Sequence, residues 1–138
     1  MDIEAKLTML LAGRRLTAVI RREFDWAFIF DAPGSGLGVA SLWRIVSESR
    51  IALTSKDDSQ QFGLPEPVDG EREAKRLLSG KAVQRISIRR DTGDIAIHFS
   101  DGATLEALNT SAGYESWEIG IDGLRVIGVG GGQLAIFA

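Results

Sequence analysis

The stretch "LLAGRRL" occupies residues 10–16, and "LLSGKAV" occupies residues 77–83, an offset of 67. At that offset Asp2 aligns with Asp69, Glu4 with Glu71, Leu10 and Leu11 with Leu77 and Leu78, and Gly13 with Gly80. Arg14 then meets Lys81, Leu16 meets Val83, Val19 meets Ile86 and Arg22 meets Arg89. The order of chemical types is preserved, so the chain reads as an internal duplication. Residues 1–54 form the first repeat, 55–70 a linker and 71–138 the second repeat, together one globular domain. The linker "SKDDSQQFGLPEPVDG" holds two of the three prolines and has almost no periodicity.

Each repeat opens with a helix signal. Asp2 and Asp69 are N-cap residues, whose carboxylates accept from free amides of a first turn. Ile3, Leu7, Leu10 and Leu11 make one apolar helical stripe, and Ala74, Leu77 and Leu78 make a weaker one. Gly13 and Gly80 stand where a left-handed residue ends a helix. Strands follow. "RRLTAVIRR" and "KAVQRISIRR" are rich in β-branched residues. "FDWAFIF" places Phe24, Trp26, Phe28 and Phe30 on one face by alternation, and "DIAIHF" does so with Ile95, Ile97 and Phe99. "DTGD" at 91–94 is a tight hairpin turn. "LGVASLWRI" is expected as one third strand in the first half, and its counterpart as two, "ATLEAL" and "YESWEIGI", parted by "NTSAG". A tryptophan strand and one more close each half.

The expected fold class is therefore α+β and β-rich: two tandem helix-plus-antiparallel-meander repeats, related by a pseudo-two-fold and forming one sandwich- or barrel-like domain. A single meander of this size buries too little surface to be stable alone, so two copies packed face to face would share one core.

Composition narrows the function classes. Hydrophobic residues at 44% supply enough apolar material to offset the ordering entropy of the chain. Residues 1–67 hold 8 basic and 9 acidic side chains and the remainder 8 and 10, so neither half is the basic lobe of a nucleic-acid binder. With no cysteine, disulfides, thiolate zinc sites and a cysteine nucleophile are excluded. The first residues lack the basic and apolar regions of a signal peptide, and no run approaches the ~18 apolar residues of a membrane span. A cytoplasmic location is expected, with no membrane and no nucleic acid as partner.

The pattern of a strand pair, a turn such as "FSDG", then a tryptophan strand ("SLWRI", "YESWEI") and a further strand ending in "LTSKDD" or "VGGGQL" resembles an uncharacterised family of small bacterial proteins. In that family a W-R-[I/L] strand precedes a short strand and a Ser-x-Asp-Asp turn. The resemblance implies a domain of unknown function, often duplicated, with some members immunity-like or accessory, and it carries no catalytic residues. The second half departs from the pattern: Glu118 stands at the position of Arg44, and "GVGGGQ" replaces the Asp57-Asp58 turn.

No motif with catalytic mechanics is present in the sequence. His98 is the only histidine; out of phase with Ile97 and Phe99, it is expected at solvent or on the far side of the sheet. "GVGGGQ" (128–133) and "PGSGLG" (33–38) lack the helix and lysine of a phosphate loop and read as hairpin turns of permissive glycines. The carboxylates, Glu115 and Asp57-Asp58 among them, have no spacing that demands acid–base or metal chemistry. Trp43, Tyr114 and Trp117 either plug the core or, with Tyr114 and Trp117 on a partner-facing surface, concentrate binding energy. The loop "NTSAGYES" (109–116) has no equal in the first half, and an added loop is a cheap place to acquire function.

The leading expectation is a non-enzymatic protein-interaction module without cofactor or metal. Its candidate binding residues are Trp43, Arg44, Asp57, Asp58, Tyr114, Glu115 and Trp117, its partner another protein. The alternative is a small-ligand binder or enzyme with a pocket between the repeats lined by Trp26, Trp43 and Trp117. A homo-oligomer joined through an open sheet edge is a third possibility.

Overall fold

The computed structural model describes residues 2–138. Helix α1 (Ile3–Leu11) begins where the Asp2 carboxylate accepts from Ala5 N–H at 3.1 Å and buries Ile3, Leu7 and Leu11. Helix α2 (Gly70–Leu78) repeats the device: Asp69 accepts from Arg72 N–H at 3.1 Å, and Ala74 and Leu78 are buried. Gly13 and Gly80 follow the two helices with φ of 84° and 77°, a left-handed conformation that side chains resist.

Among the described residues eleven strands accompany the helices. They are β1 (Leu16–Arg21), β2 (Trp26–Phe30), β3 (Gly36–Val39), β4 (Trp43–Ser47) and β5 (Arg50–Thr54) before α2. After it come β6 (Val83–Ile88), β7 (Ile95–Phe99), β8 (Thr104–Ala107), β9 (Trp117–Ile121), β10 (Leu124–Gly128) and β11 (Leu134–Phe137). All pair antiparallel, in two open sheets: a six-stranded one in the order β1-β2-β3-β9-β10-β11 and a five-stranded one in the order β5-β4-β8-β7-β6. Among the described residues neither sheet closes into a barrel. Ile, Leu, Val and aromatic side chains of both sheets and both helices form one core between them.

Two expectations need correction. First, the halves do not each build a sheet and then pack. The first half places β1-β2-β3 in the six-stranded sheet and β4-β5 in the other; the second half places β6-β7-β8 in the five-stranded sheet and β9-β10-β11 in the first. Second, "LGVASLWRI" is two strands, broken at residues 40–42 where the chain passes from one sheet to the other, as it does again at 108–116. The two crossings bond to each other. Ala40 N–H donates to Ser116 C=O at 2.9 Å, Leu108 N–H donates to Leu42 C=O at 2.9 Å, and the Ser41 hydroxyl donates to Leu108 C=O at 2.5 Å. These bonds fasten the two breaks to each other.

Several local hydrogen bonds recur down the chain. Arg14 N–H donates to Leu11 C=O and Lys81 N–H to Leu78 C=O; Arg22 N–H donates to Asp25 C=O and Arg89 N–H to Asp94 C=O. β1 and β6 each slip register early, between Leu16 and Ala18 and between Val83 and Arg85. The helices sit crosswise: α1 packs on β6 and α2 on β1.

Phe24, expected inside with Trp26, Phe28 and Phe30, is 83% exposed, because the strand starts at Trp26 and Phe24 lies in the preceding turn. Gly36 and Gly38, expected in a hairpin turn, lie within β3, and of the glycines at 34, 36 and 38 only Gly34 has positive φ (68°).

Because each sheet draws on both halves, residues 1–68 or 69–138 expressed alone should show no cooperative unfolding transition. An equimolar mixture should regain a near-ultraviolet dichroism signal that neither piece shows separately.

Candidate functional site

The expected site residues divide sharply by burial. Trp43 is 0% and Trp117 2% exposed. Trp43 meets Trp26 edge to face with centroids 5.0 Å apart, and Phe28 likewise at 5.2 Å. Trp117 is held by its indole N–H, which donates to Gly93 C=O at 2.8 Å. These rings are core, so a surface role for Trp43 and Trp117 is lost, and the three tryptophans fill the space where a pocket between the repeats was expected. Arg44 forms a cross-strand pair with Glu106, Nε to Oε1 at 3.1 Å, on the outer side of the five-stranded sheet.

Asp57 and Asp58 have structural tasks. The Asp57 carboxylate accepts from Thr54 N–H at 2.9 Å and closes a capping box on the 3-10 turn Ser55–Asp57. Asp58 accepts from Gly70 N–H at 2.8 Å and pairs with Arg21 Nε at 3.1 Å, fixing the start of α2 against β1. The two acids therefore lock the linker to the body of the protein.

Tyr114 is the opposite case. It is 82% exposed at the tip of a loop whose backbone is pinned. Asn109 N–H donates to Asp94 at 2.8 Å and the Asn109 amide donates to Val129 C=O at 2.9 Å. Ser116 Oγ donates to Asn109 Oδ1 at 2.9 Å, and the Ser111 hydroxyl accepts from Gly113 and Tyr114 N–H at 3.1 and 2.9 Å. Gly131 N–H donates to Ser111 C=O at 3.0 Å, and the backbones press together so closely that a Cβ on Gly130 would lie 2.5 Å from Gly113.

Beside this loop, on the outer side of the six-stranded sheet, runs a groove of about 580 Å³. Its floor is bare because Gly36 and Gly38 of β3 and Gly120 of β9 face outward where other residues would place side chains. Ion pairs wall it: Arg22 with Asp25 through two bonds of 2.7 Å, and Arg125 with Glu118 at 2.6 Å. Glu115 lines it too. β2 and β9 both pair antiparallel with β3, so they run the same way. Phe24 and Tyr114, each just ahead of its strand and each next to a groove-lining acid, therefore leave the sheet at one end. Sequence reading missed this groove; the alternating glycines of "GSGLG" are the signal, since period two in a strand strips one face of side chains.

A second cluster was also missed. On the outer side of the five-stranded sheet, His98 Nε2 lies 2.8 Å from Ser87 Oγ, and Nδ1 lies 3.4 Å from Thr104 Oγ1. His98 is half-buried between them. Burial, then the charge of Arg85, holds its imidazole below the ordinary range, against a smaller opposing pull from Glu106. Both ring nitrogens face hydroxyls and neither faces a carboxylate, so the pair lacks the orienting acid of a hydrolase triad. Among the described residues no group of three or more His, Asp or Glu side chains is arranged to hold a metal ion, and no helix is long and apolar enough to cross a membrane.

A family model described as a family of unknown function, DUF6188, matches residues 29–138, and the chain belongs to that family. No curated protein and no solved structure matches it.

Two outcomes follow from the burial. Tyr114→Ala should leave stability within about 0.5 kcal/mol, whereas Trp117→Ala should cost about 3–5 kcal/mol, both read by chemical denaturation. A neutral His98 stabilises the fold fully above the ordinary imidazole pKa, and that contribution is lost as pH falls through the lowered folded value. The single histidine resonance should titrate below the free-imidazole midpoint, and His98→Gln should flatten the acid side of the stability profile.

Proposed function

We propose that this protein is a non-enzymatic protein-interaction module that binds a partner with the end of the six-stranded sheet where Phe24, Tyr114 and the glycine-floored groove meet. The observation that carries the reading is Tyr114: a ring 82% exposed on a loop already fixed by hydrogen bonds. The network of hydrogen bonds holds an exposed aromatic in place, and a pre-ordered anchor avoids the ordering cost of binding. The groove beside it adds concave surface with both signs of charge on its walls. The reading extends to a cytoplasmic accessory or immunity-like role, with neither nucleic acid nor membrane as partner; the net charge of −3 supports the former.

The proposal includes an origin by duplication, with the two halves related by a pseudo-two-fold. The recurrent turn hydrogen bonds, the paired early register slips and the crosswise helices support it.

The groove itself favours a second reading, a small-ligand binder. Gly38→Ala discriminates between the two, since a Cβ there meets its nearest atoms, on Arg22 and Asp25, at an ordinary 3.6 Å. It should narrow the floor without unfolding the protein.

Phe24→Ala/Tyr114→Ala should keep the wild-type melting temperature and lose, by at least tenfold in recovery, a partner captured stoichiometrically by the wild type from its native lysate. Equal recovery by both proteins would remove the aromatic face from the interaction. Stabilisation by a metabolite, abolished by Gly38→Ala, would favour the ligand reading. A fluorophosphonate probe should leave Ser87 unlabelled; labelling lost in His98→Gln would end the non-enzymatic reading.

A further inference from the structure

Four strands lie at sheet edges: β1, β11, β5 and β6. Natural sheets block such edges, because a row of free N–H and C=O groups templates another strand. Two of the four are closed by helices. Arg21 N–H of β1 donates to the Glu71 carboxylate of α2 at 2.9 Å, and Ile86 N–H of β6 donates to the Thr8 hydroxyl of α1 at 2.9 Å. β5 starts with the charge of Arg50, its partner strand is kinked between Ile45 and Val46, and α2 packs against it. β11, "LAIF", has no charge and no proline. Its Ile136 and Phe137 are 43% and 52% exposed.

The open groups on β11 can be assigned. Val129 N–H donates to Gln133 C=O at 3.0 Å, and Ile127 pairs with Ala135 and Arg125 with Phe137. Hydrogen-bonded pairs alternate along an antiparallel ladder, so these pairs take the bonds to β10. Leu134 and Ile136 turn their N–H and C=O groups outward.

We infer that β11 pairs antiparallel with β11 of a second copy of this chain, about a two-fold axis at Ala135. Leu134 of each copy then faces Ile136 of the other, and the four outward N–H and C=O groups of each copy bond across the axis. A two-fold sets the edge against itself, and a neutral strand does so without placing like charges together; the smallest side chain of the strand stands on the axis. Leu134 and Ile136 share the core-facing side with Val126 and Gly128, so the apolar layer also runs on from copy to copy. A four-residue strand buries far less than the ~1,200 Å² of a standard interface, so the dimer is weak, forming between about 10 µM and 1 mM. It involves none of Phe24, Tyr114 or the groove and stands apart from the partner face proposed above.

Sedimentation equilibrium across that range should show monomer passing to dimer. Ile136→Pro removes an outward N–H that β10 does not use; it should keep the melting temperature and stay monomeric. The chain has no cysteine, so Ala135→Cys supplies a single thiol. The two-fold brings the paired Cα atoms to about 4.5 Å, within disulfide reach. Mild oxidation should link Ala135→Cys into a covalent dimer and leave Ile51→Cys, on the exposed face of β5, unlinked. A wild type monomeric at about 1 mM overturns the inference. So does a dimer that survives Ile136→Pro, or equal linking of the two cysteine variants.

Discussion

The structure depends on one knot of backbone hydrogen bonds, where the segment at residues 40–42 crosses the segment at 108–116. Each segment carries its half of the chain from one sheet to the other, and each satisfies the amides of the other: Ala40 to Ser116, Leu108 to Leu42. A backbone hydrogen bond of this kind contributes about 0.5–1.5 kcal/mol net. The Ser41 hydroxyl adds bonds to the carbonyls of both Leu108 and Ser116. Once the crossings are paired, β3 must lie beside β9 and β4 beside β8, so neither sheet is complete without both halves. Trp43, immediately after the first crossing, is the largest fully buried side chain, and it fills the space that the crossing opens.

That arrangement explains why function has to be sought on outer surfaces. Burying the tryptophans removes the inter-sheet space as a binding site, and the linker acids are consumed in capping and pairing. The outer faces of the sheets remain, and they differ. The five-stranded sheet presents cross-strand polar contacts, Arg44 with Glu106 and His98 with Ser87 and Thr104, whose partners satisfy one another. The six-stranded sheet presents a strip of glycine between ion pairs. Exposed ion pairs of this kind add at most about 1 kcal/mol each to stability, but they give the groove walls a fixed pattern of charge.

Much of the fold was legible in the sequence because it is local. Asp2, Asp69, Gly13 and Gly80 mark helix ends by backbone chemistry that acts within a few residues, and alternation located β2 and β7. What failed was non-local. Nothing in "LGVASLWRI" says that the chain changes sheets at residue 40, because the reason is an amide of Ala40 meeting Ser116, 76 residues away. Phe24 obeyed the alternation and still fell outside, since the Arg22–Asp25 pair tightens that turn before the strand begins. At the site, Tyr114 was separable from Trp117 only by burial. The groove was written in the glycines of β3, whose period of two has meaning only once the segment is known to be a strand.

Under the proposed duplication, the differences between the halves are more informative than the likeness. The second half adds the loop at 109–116 and the strand β11, and these additions meet: Gly131 N–H bonds to Ser111 C=O, and Gly130 lies against Gly113. The turn that launches β11 therefore also braces the loop that presents Tyr114. Such a brace couples two features that a plain pair of repeats would lack, and it costs the symmetry of the molecule, six strands against five. Where the second half departs from the pattern it adds little to the shared core: of β11 only Leu134 packs against it. A rigid loop and an unguarded strand, each unfavourable on a solitary globule, make physical sense as surfaces kept for something else to cover.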